Sequence, residues 1–382
     1  MKQLLLILVF TASVRGSLCA QSVPDPVEPA ARRGIDFVYN LEFERADSAF
    51  LRLVTEFPGN PAGYFLQAMV LWWRIVLDLE NEQYDKEFYA RLDHVIDMCD
   101  SILQKDEDNV DAIFFKGGAI GFEGRLKFHR NDYLAAANAG RKALPLVQEA
   151  QSLAPQNYDV LLGSGMYNYY ADVIPEEYPF LKPVLLFIPP GDKKKGLEQL
   201  TLASQKGRYA STESAYFLMQ VYFYYEKDYL KALEIARELH NRYPNNMLFH
   251  KYVGRCYVMM SDWVHARETF MDIVSRANKG ARGYDAATER EGEYYLGQSD
   301  LNQRQFDAAL SHFYRCDDLS RSVDKNGPSG FMVMANLRIG NIFDLQQKRD
   351  LAVQQYEKVS SWKDYRGSIA AAEQYRKTPY TQ

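Results

Sequence analysis

The sequence predicts an all-α solenoid of about seven stacked helix pairs with a C-terminal capping helix, and three observations carry that prediction. First, a glycine is followed twelve residues on by alanine and four residues later by an aromatic ring in four places: Gly34–Ala46–Phe50, Gly254–Ala266–Phe270, Gly297–Ala309–Phe313 and Gly340–Ala352–Tyr356. A fifth set, Gln220–Ala232–Ala236, keeps the spacing alone. Second, the sets recur at fixed intervals: 34 residues from Ala232 to Ala266, then 43 to Ala309 and 43 to Ala352. A period of this size means stacked supersecondary units. Third, helical patterns succeed one another with no convincing strand, and Pro58 and Pro244 fall where a second helix should stop. Small residues on two facing helices let them approach closely, and the aromatic fills the gap above.

In chain order, residues 1–20 read as a secretory signal. Lys2 precedes the apolar run Leu4 to Phe10, and Leu18-Cys19-Ala20 approximates a small-residue cleavage site that would leave Gln21 first. The run is too short to span a bilayer, which takes about 20 residues. Residues 21–30 hold three prolines and read as a flexible lead-in. Irregular helix pairs follow over 31–210: 31–42 with 44–57, closed by Pro58-Gly59-Asn60-Pro61, then 62–80 with 83–104, and 110–128 with 131–153. Leu92, Val95, Ile96, Cys99 and Leu103 recur at the three- and four-residue spacing of a buried helix face. Gly117, Gly118, Gly121 and Gly124 lack the Lys-Ser/Thr of a phosphate loop, so close helix–helix contact is expected there. A helix over 157–172 leads into a Pro-rich insert at 172–196. Regular pairs occupy 211–382: 212–226 with 228–242, 247–260 with 262–277, 287–302 with 305–319, and 330–346 with 348–360, before a capping helix at 366–376.

The glycine–alanine–aromatic spacing resembles the tetratricopeptide repeat, a helix–turn–helix unit of 34 residues, over 27–60 and 213–366. The resemblance implies a right-handed superhelix in which first helices line the concave face, and it implies protein binding. The exported setting points to the bacterial type. On that register the residues three before and one after each glycine face the groove: Lys251 and Arg255, Tyr294 and Gln298, Leu337 and Asn341. Tyr252, Tyr295 and Arg338, two before each glycine, join them. This set resembles in part the carboxylate-clamp class, with Lys251 at the clamp's lysine and Arg255 where that family has asparagine. Cations that hold a carboxylate and tyrosines that supply flat contact area suit an extended peptide or partner loop. Solvated polar groups on a scaffold are the plain alternative.

The insert DVIPEEYPFLKPVLLFIPPGDKKKG admits two readings. It packs back on the superhelix and buries Phe180, Leu185 and Phe187, or those residues with Lys193, Lys194 and Lys195 form a membrane- or partner-facing patch. GSGMYNYY before it and G-LEQL after it are similar to the eukaryotic inclusion-body-clearance family of tetratricopeptide proteins over about residues 160–205. That resemblance implies helical repeats and no catalysis.

The net charge is −5, and loss of Lys2 and Arg15 with a signal would take it to −7, which argues against nucleic acid as the main partner. Cys99, Cys256 and Cys316 sit in apolar helical patterns and read as buried free thiols. The absence of an Asn-x-Ser/Thr sequon leans towards a bacterial envelope. The six histidines never recur at close metal-ligand spacing, and no nucleophile elbow, His-Glu-x-x-His or Cys-x-x-Cys occurs. The expected protein is therefore non-enzymatic, needs no metal or cofactor, and is an exported interaction scaffold of the periplasm or cell envelope. Contact with lipid through 176–195 is the alternative.

Overall fold

Each glycine of the repeating triplet lies beneath the ring sixteen residues ahead of it. In the computed structural model, which describes residues 27–182 and 189–381, a Cβ added at Gly254 would come within 2.6 Å of the Phe270 ring. At Gly297 it would meet Phe313 at 2.9 Å, and at Gly340 it would meet Tyr356 at 2.5 Å. Gly34 sits the same way against Phe50. The alanines Ala46, Ala232, Ala266, Ala309 and Ala352 and the four rings are fully buried where the helices of each pair cross.

The described residues form an all-α repeat solenoid of seventeen helices with no strand. The pairs are α1 (Glu28–Tyr39) with α2 (Phe43–Glu56), α3 (Pro61–Leu77) with α4 (Asp85–Leu103), and α5 (Val110–His129) with α6 (Tyr133–Leu153). Then come α7 (Val160–Glu177) with α8 (Lys193–Lys206), α9 (Ser211–Tyr224) with α10 (Tyr229–Arg242), and α11 (Met247–Met259) with α12 (Trp263–Asn278). Last are α13 (Ala286–Asn302) with α14 (Phe306–Val323), α15 (Gly330–Leu345) with α16 (Arg349–Ser360), and the cap α17 (Ser368–Lys377). The stack thus holds eight pairs among the described residues, one more than expected. The reason is α8, which completes the unit that the insert interrupts.

Helix starts follow the sequence closely because local side chains hold them. Asn60, Asn109, Asp132, Asp228, Asn246, Asp262, Asp285 and Ser329 each accept an N–H two or three residues ahead, as N-caps do. Six of the turns inside pairs share a signal that the sequence reading missed. Leu41, Asn131, Lys227, Ser261, Arg304 and Gln347 adopt φ between 55° and 62°, a region that non-glycine residues rarely enter. In five of the six, the next N–H reaches back five residues, as from Asp262 to the Tyr257 carbonyl at 2.9 Å, closing the helix in a Schellman-type turn.

Several boundaries differ from expectation. Helix α1 begins at Glu28, inside the expected lead-in, because Pro29 in a first turn has no hydrogen bond to lose. Helix α7 runs past residue 172 and through Pro175 to Glu177, and a 3-10 turn at Pro179–Leu181 follows. Lys193–Lys195 are the first turn of α8 rather than the tail of an insert. Gly117 and Gly124 do pack on α6, against Leu146 and Ala139, but a Cβ at Gly121 would meet nothing within 4 Å. Gly165 and Gly196 let α7 and α8 touch backbone to backbone, with the Gly196 carbonyl 3.0 Å from a Cβ at Gly165. The signal expected at 1–20 and most of the lead-in lie outside the described residues.

Candidate functional site

First helices of successive pairs pack on one another, α1 on α3, α3 on α5, α5 on α7 and α13 on α15, and over much of the molecule this inner face is occupied by the protein itself. Glu213 on α9 is buried and accepts three donors from helices far away in sequence. These are Tyr39 Oη of α1 at 2.8 Å, Arg125 of α5 at 2.7 Å and Trp73 Nε1 of α3 at 3.3 Å. Trp73 sits among the rings of Tyr39 (4.9 Å), Tyr216 (5.2 Å) and Phe249 (5.8 Å). The end of α1 then locks onto the α10–α11 turn. Tyr243 Oη donates to Asp36 at 2.8 Å, and Asn246 Nδ2 donates to the Tyr39 carbonyl at 2.8 Å. One core of buried side chains therefore runs from α1–α5 across to α9–α11. Nothing in the sequence pointed to Glu213, Tyr39, Trp73 or Arg125, since their partners lie 88 to 174 residues apart.

The residues expected to line the groove separate into two groups. Lys251 and Arg255 converge on one carboxylate that sequence reasoning missed, Glu291 of α13. Arg255 makes a two-point contact at 2.5 and 2.7 Å, and Lys251 Nζ lies at 3.4 Å. Burial pushes the Glu291 carboxyl up, but Arg255 and Lys251 outweigh it and hold its pKa at about 2. Burial also pushes the Lys251 ammonium down, with Glu291 opposing. Tyr252 is buried, with its hydroxyl 3.2 Å from that of Tyr224. Asn341 is buried and accepts from Tyr356 Oη at 3.2 Å, and Leu337 is buried too. These five contribute to the protein's own interior.

The second group is Tyr294, Tyr295, Gln298 and Arg338, all partly exposed on α13 and α15. Arg338 Nε donates to Gln298 Oε1 at 3.1 Å, and its side chain also hydrogen-bonds Tyr294. No carboxylate pairs with Arg338 among the described residues. Tyr295 stacks on Phe270 at 4.6 Å, and Tyr294 meets Phe331 edge-on at 5.5 Å. Three groups that the spacing placed together do come together, and the rings are fixed from behind by packing.

At the insert, Phe180 is 63% exposed rather than buried, and it meets Tyr133 and Tyr178 edge-on at 5.8 and 6.2 Å. Lys193 Nζ pairs with Glu226 at 2.9 Å, while Lys194 and Lys195 are exposed. Leu185 and Phe187 lie outside the described residues.

His240 of α10 and His250 of α11 stack with ring centroids 4.0 Å apart, a pairing that ten residues of separation did not reveal. Burial, with Arg276 nearby, lowers the His240 pKa to about 4; burial, His240 and Arg276 lower that of His250 to about 3. Cys99, Cys256 and Cys316 are buried free thiols, and burial pushes each up to about 12. Among the described residues, no group of three or more His, Cys, Asp or Glu could hold a metal ion, and no helix is long and apolar enough to cross a membrane.

No protein-family model and no curated protein matches the chain. Among solved structures, yeast Tom70 is similar at 11% identity and a TM-score of 0.41, over 91% of this chain and 87% of its own. The Cut9–Hcn1 hetero-tetramer of the APC/C is similar at 14% identity and a TM-score of 0.40, covering 90% and 75%. The human IFIT1 dimer with m7Gppp-AAAA is similar at 12% identity and a TM-score of 0.43, covering 93% and 88%. Likenesses this distant assign no residue a role.

Proposed function

We propose that the chain is an exported, non-enzymatic scaffold or adaptor of the cell envelope, which binds a segment of another protein on the inner face of its last repeats. The observation that carries this reading is the surface of Tyr294, Gln298 and Arg338. There the inner face carries a cation without a carboxylate among the described residues, beside aromatic rings held rigid. An acidic or C-terminal peptide segment gains charge-assisted hydrogen bonds from Arg338 and contact area from the rings. The net charge of −5 favours a protein partner over nucleic acid. Export rests on the Lys2 and Leu4–Phe10 pattern.

Protein taken from its native host tests both parts. N-terminal sequencing should begin at Gln21, and an intact Met1 removes the envelope from the proposal. Capture from envelope extract should return a partner that the Arg338→Glu variant holds severalfold more weakly, since a partly exposed contact contributes only about 1 kcal/mol and reversal adds repulsion. Reversing Lys251 or Arg255 would not serve, because either change places a second acid on buried Glu291. If Arg338→Glu captures the same partner as tightly as wild type, the inner face of α13 and α15 is not the recognition surface.

A further inference from the structure

Helices within each pair run antiparallel, so the turns inside successive pairs line one edge of the stack. Contacts join the middle of that edge. Tyr133 meets Phe180 at 5.8 Å, Lys193 Nζ reaches Glu226 at 2.9 Å, and Tyr169 lies 6.0 Å from Tyr225. The second residue of each second helix stands at this edge, in the first helical turn, where the macrodipole favours an acid. The outer pairs obey that preference, with Glu44 on α2, Asp307 on α14 and Asp350 on α16. Of the five pairs between them, α3–α4 carries Lys86 there, flanked by Asp85 and Glu87, and the next four carry no acid at this place. Their residues are Leu134, Lys194, Leu230 and Val264, and the three aliphatic ones are exposed by 68%, 59% and 68%, with no cover from an element among the described residues. Phe180, Tyr224 and Met259 add exposed apolar surface along the same line.

Charge follows the same pattern. Lys182, Lys194, Lys195 and Lys227 are exposed and pair with no carboxylate among the described residues. The acids beside them are engaged: Asp132, Asp192, Asp228 and Asp262 each cap their own helix, and Glu226 is held by Lys193 and by Tyr169 Oη at 2.5 Å. Glu176 and Glu177 are the exposed exceptions. The apolar tips stand exposed on turns, which suits a flat partner. Aliphatic tips, tyrosines and unpaired lysines on one line are the chemistry of a lipid interface. We propose that this edge, from the α5–α6 turn to the α11–α12 turn, docks the protein peripherally on an anionic lipid surface. The inner face of α13 and α15 has no part in this contact, so the two readings stand or fall separately.

The test is co-sedimentation of the chain from Gln21 onward, which holds every described residue, with phosphatidylcholine vesicles with and without phosphatidylglycerol. Wild type should pellet with the anionic vesicles. The variant Leu134→Ser/Leu230→Ser/Val264→Ser should lose about tenfold or more in partitioning, and Lys182→Glu/Lys194→Glu/Lys195→Glu/Lys227→Glu should lose the preference for anionic lipid. All seven positions are exposed, so unchanged circular dichroism and thermal midpoint are expected, and Arg338→Glu should partition like wild type. Wild type left in the supernatant, or both edge variants pelleting as wild type does, overturns the proposal. If the edge variants instead abolish capture of an envelope protein while vesicles are ignored, the edge is a protein interface and the lipid reading fails.

Discussion

Gly297 and Ala309 show at the scale of single residues how a spacing in the sequence becomes a contact. The Phe313 ring fills the space that a Gly297 side chain would need, 2.9 Å from its Cβ, and Ala309 is fully buried on the facing helix. Gly297→Ala and Ala309→Leu should therefore each cost about 1–3 kcal/mol by overpacking. Gly121→Ala is the matched control: its Cβ meets nothing within 4 Å, so the gain in helix propensity should stabilise by about 0.5–1 kcal/mol. Urea midpoints measure all three. If Gly297→Ala is as stable as Gly121→Ala, the ring does not close on the glycine. This motif was legible because its members are joined by a short turn. Glu291 was not, because it pairs with residues 36 and 40 positions before it and no local pattern marks an acid that two cations will share.

At the scale of elements, α10, α11 and α12 enclose the stacked imidazoles of His240 and His250. The groups facing them are Arg276 and Asp272 of α12 and the Tyr284 hydroxyl, which lies 2.9 Å from His250 Nδ1. Both pKa values fall from 6.5, to about 4 and about 3, so the folded state binds fewer protons than the unfolded one below pH 6.5. Stability from these two groups is full above pH 6.5, and it declines as pH falls through the window down to about 4 and 3. His129, lowered to about 4 by burial and by Arg125 and Arg130, adds to the same slope. His240→Phe keeps a stacked ring and removes a titrating group whose Nδ1 has no hydrogen-bond partner among the described residues. Denaturant melts across that window should show a shallower loss of stability for the variant. An unchanged slope would mean that His240 is not held neutral by the fold.

For the whole molecule, the decisive contacts are those that bring α1, α3 and α5 against α9 and α11. Glu213→Ala leaves Tyr39, Trp73 and Arg125 without their shared acceptor, and Arg125 is almost enclosed between the Trp72 and Phe217 rings at 4.6 and 4.2 Å. Breaking a buried ion pair from one side costs about 3–5 kcal/mol, so this variant should lose much of the stability of the closed stack. Small-angle scattering should show a larger radius of gyration, because the first three pairs lose their hold on α9 and α11. Glu213→Gln keeps an acceptor and should fall between the two. A Glu213→Ala protein within 1 kcal/mol of wild type and of the same radius would show that the aromatic packing around Trp73 closes the stack alone.

The sequence by itself determined the helix pairs, their order and their close crossings, because caps, turns and glycine–aromatic contacts act between residues near one another in the chain. Asn246, Asp262 and Ser329 start helices where their neighbours require, whatever the rest of the chain does. It also brought Tyr294, Gln298 and Arg338 to one surface, since neighbouring pairs in a stack repeat the same register. Only the tertiary structure decided which of the inward residues remain available. Each pair is rotated slightly against the next, and these small rotations add up along the stack until α1 meets the α10–α11 turn. That closure buries Tyr39, Trp73 and Glu213, while Glu291 neutralises one of the two cations above it. No single spacing carries a sum of rotations from the first pair to the sixth, so the closed inner face had no signature in the sequence.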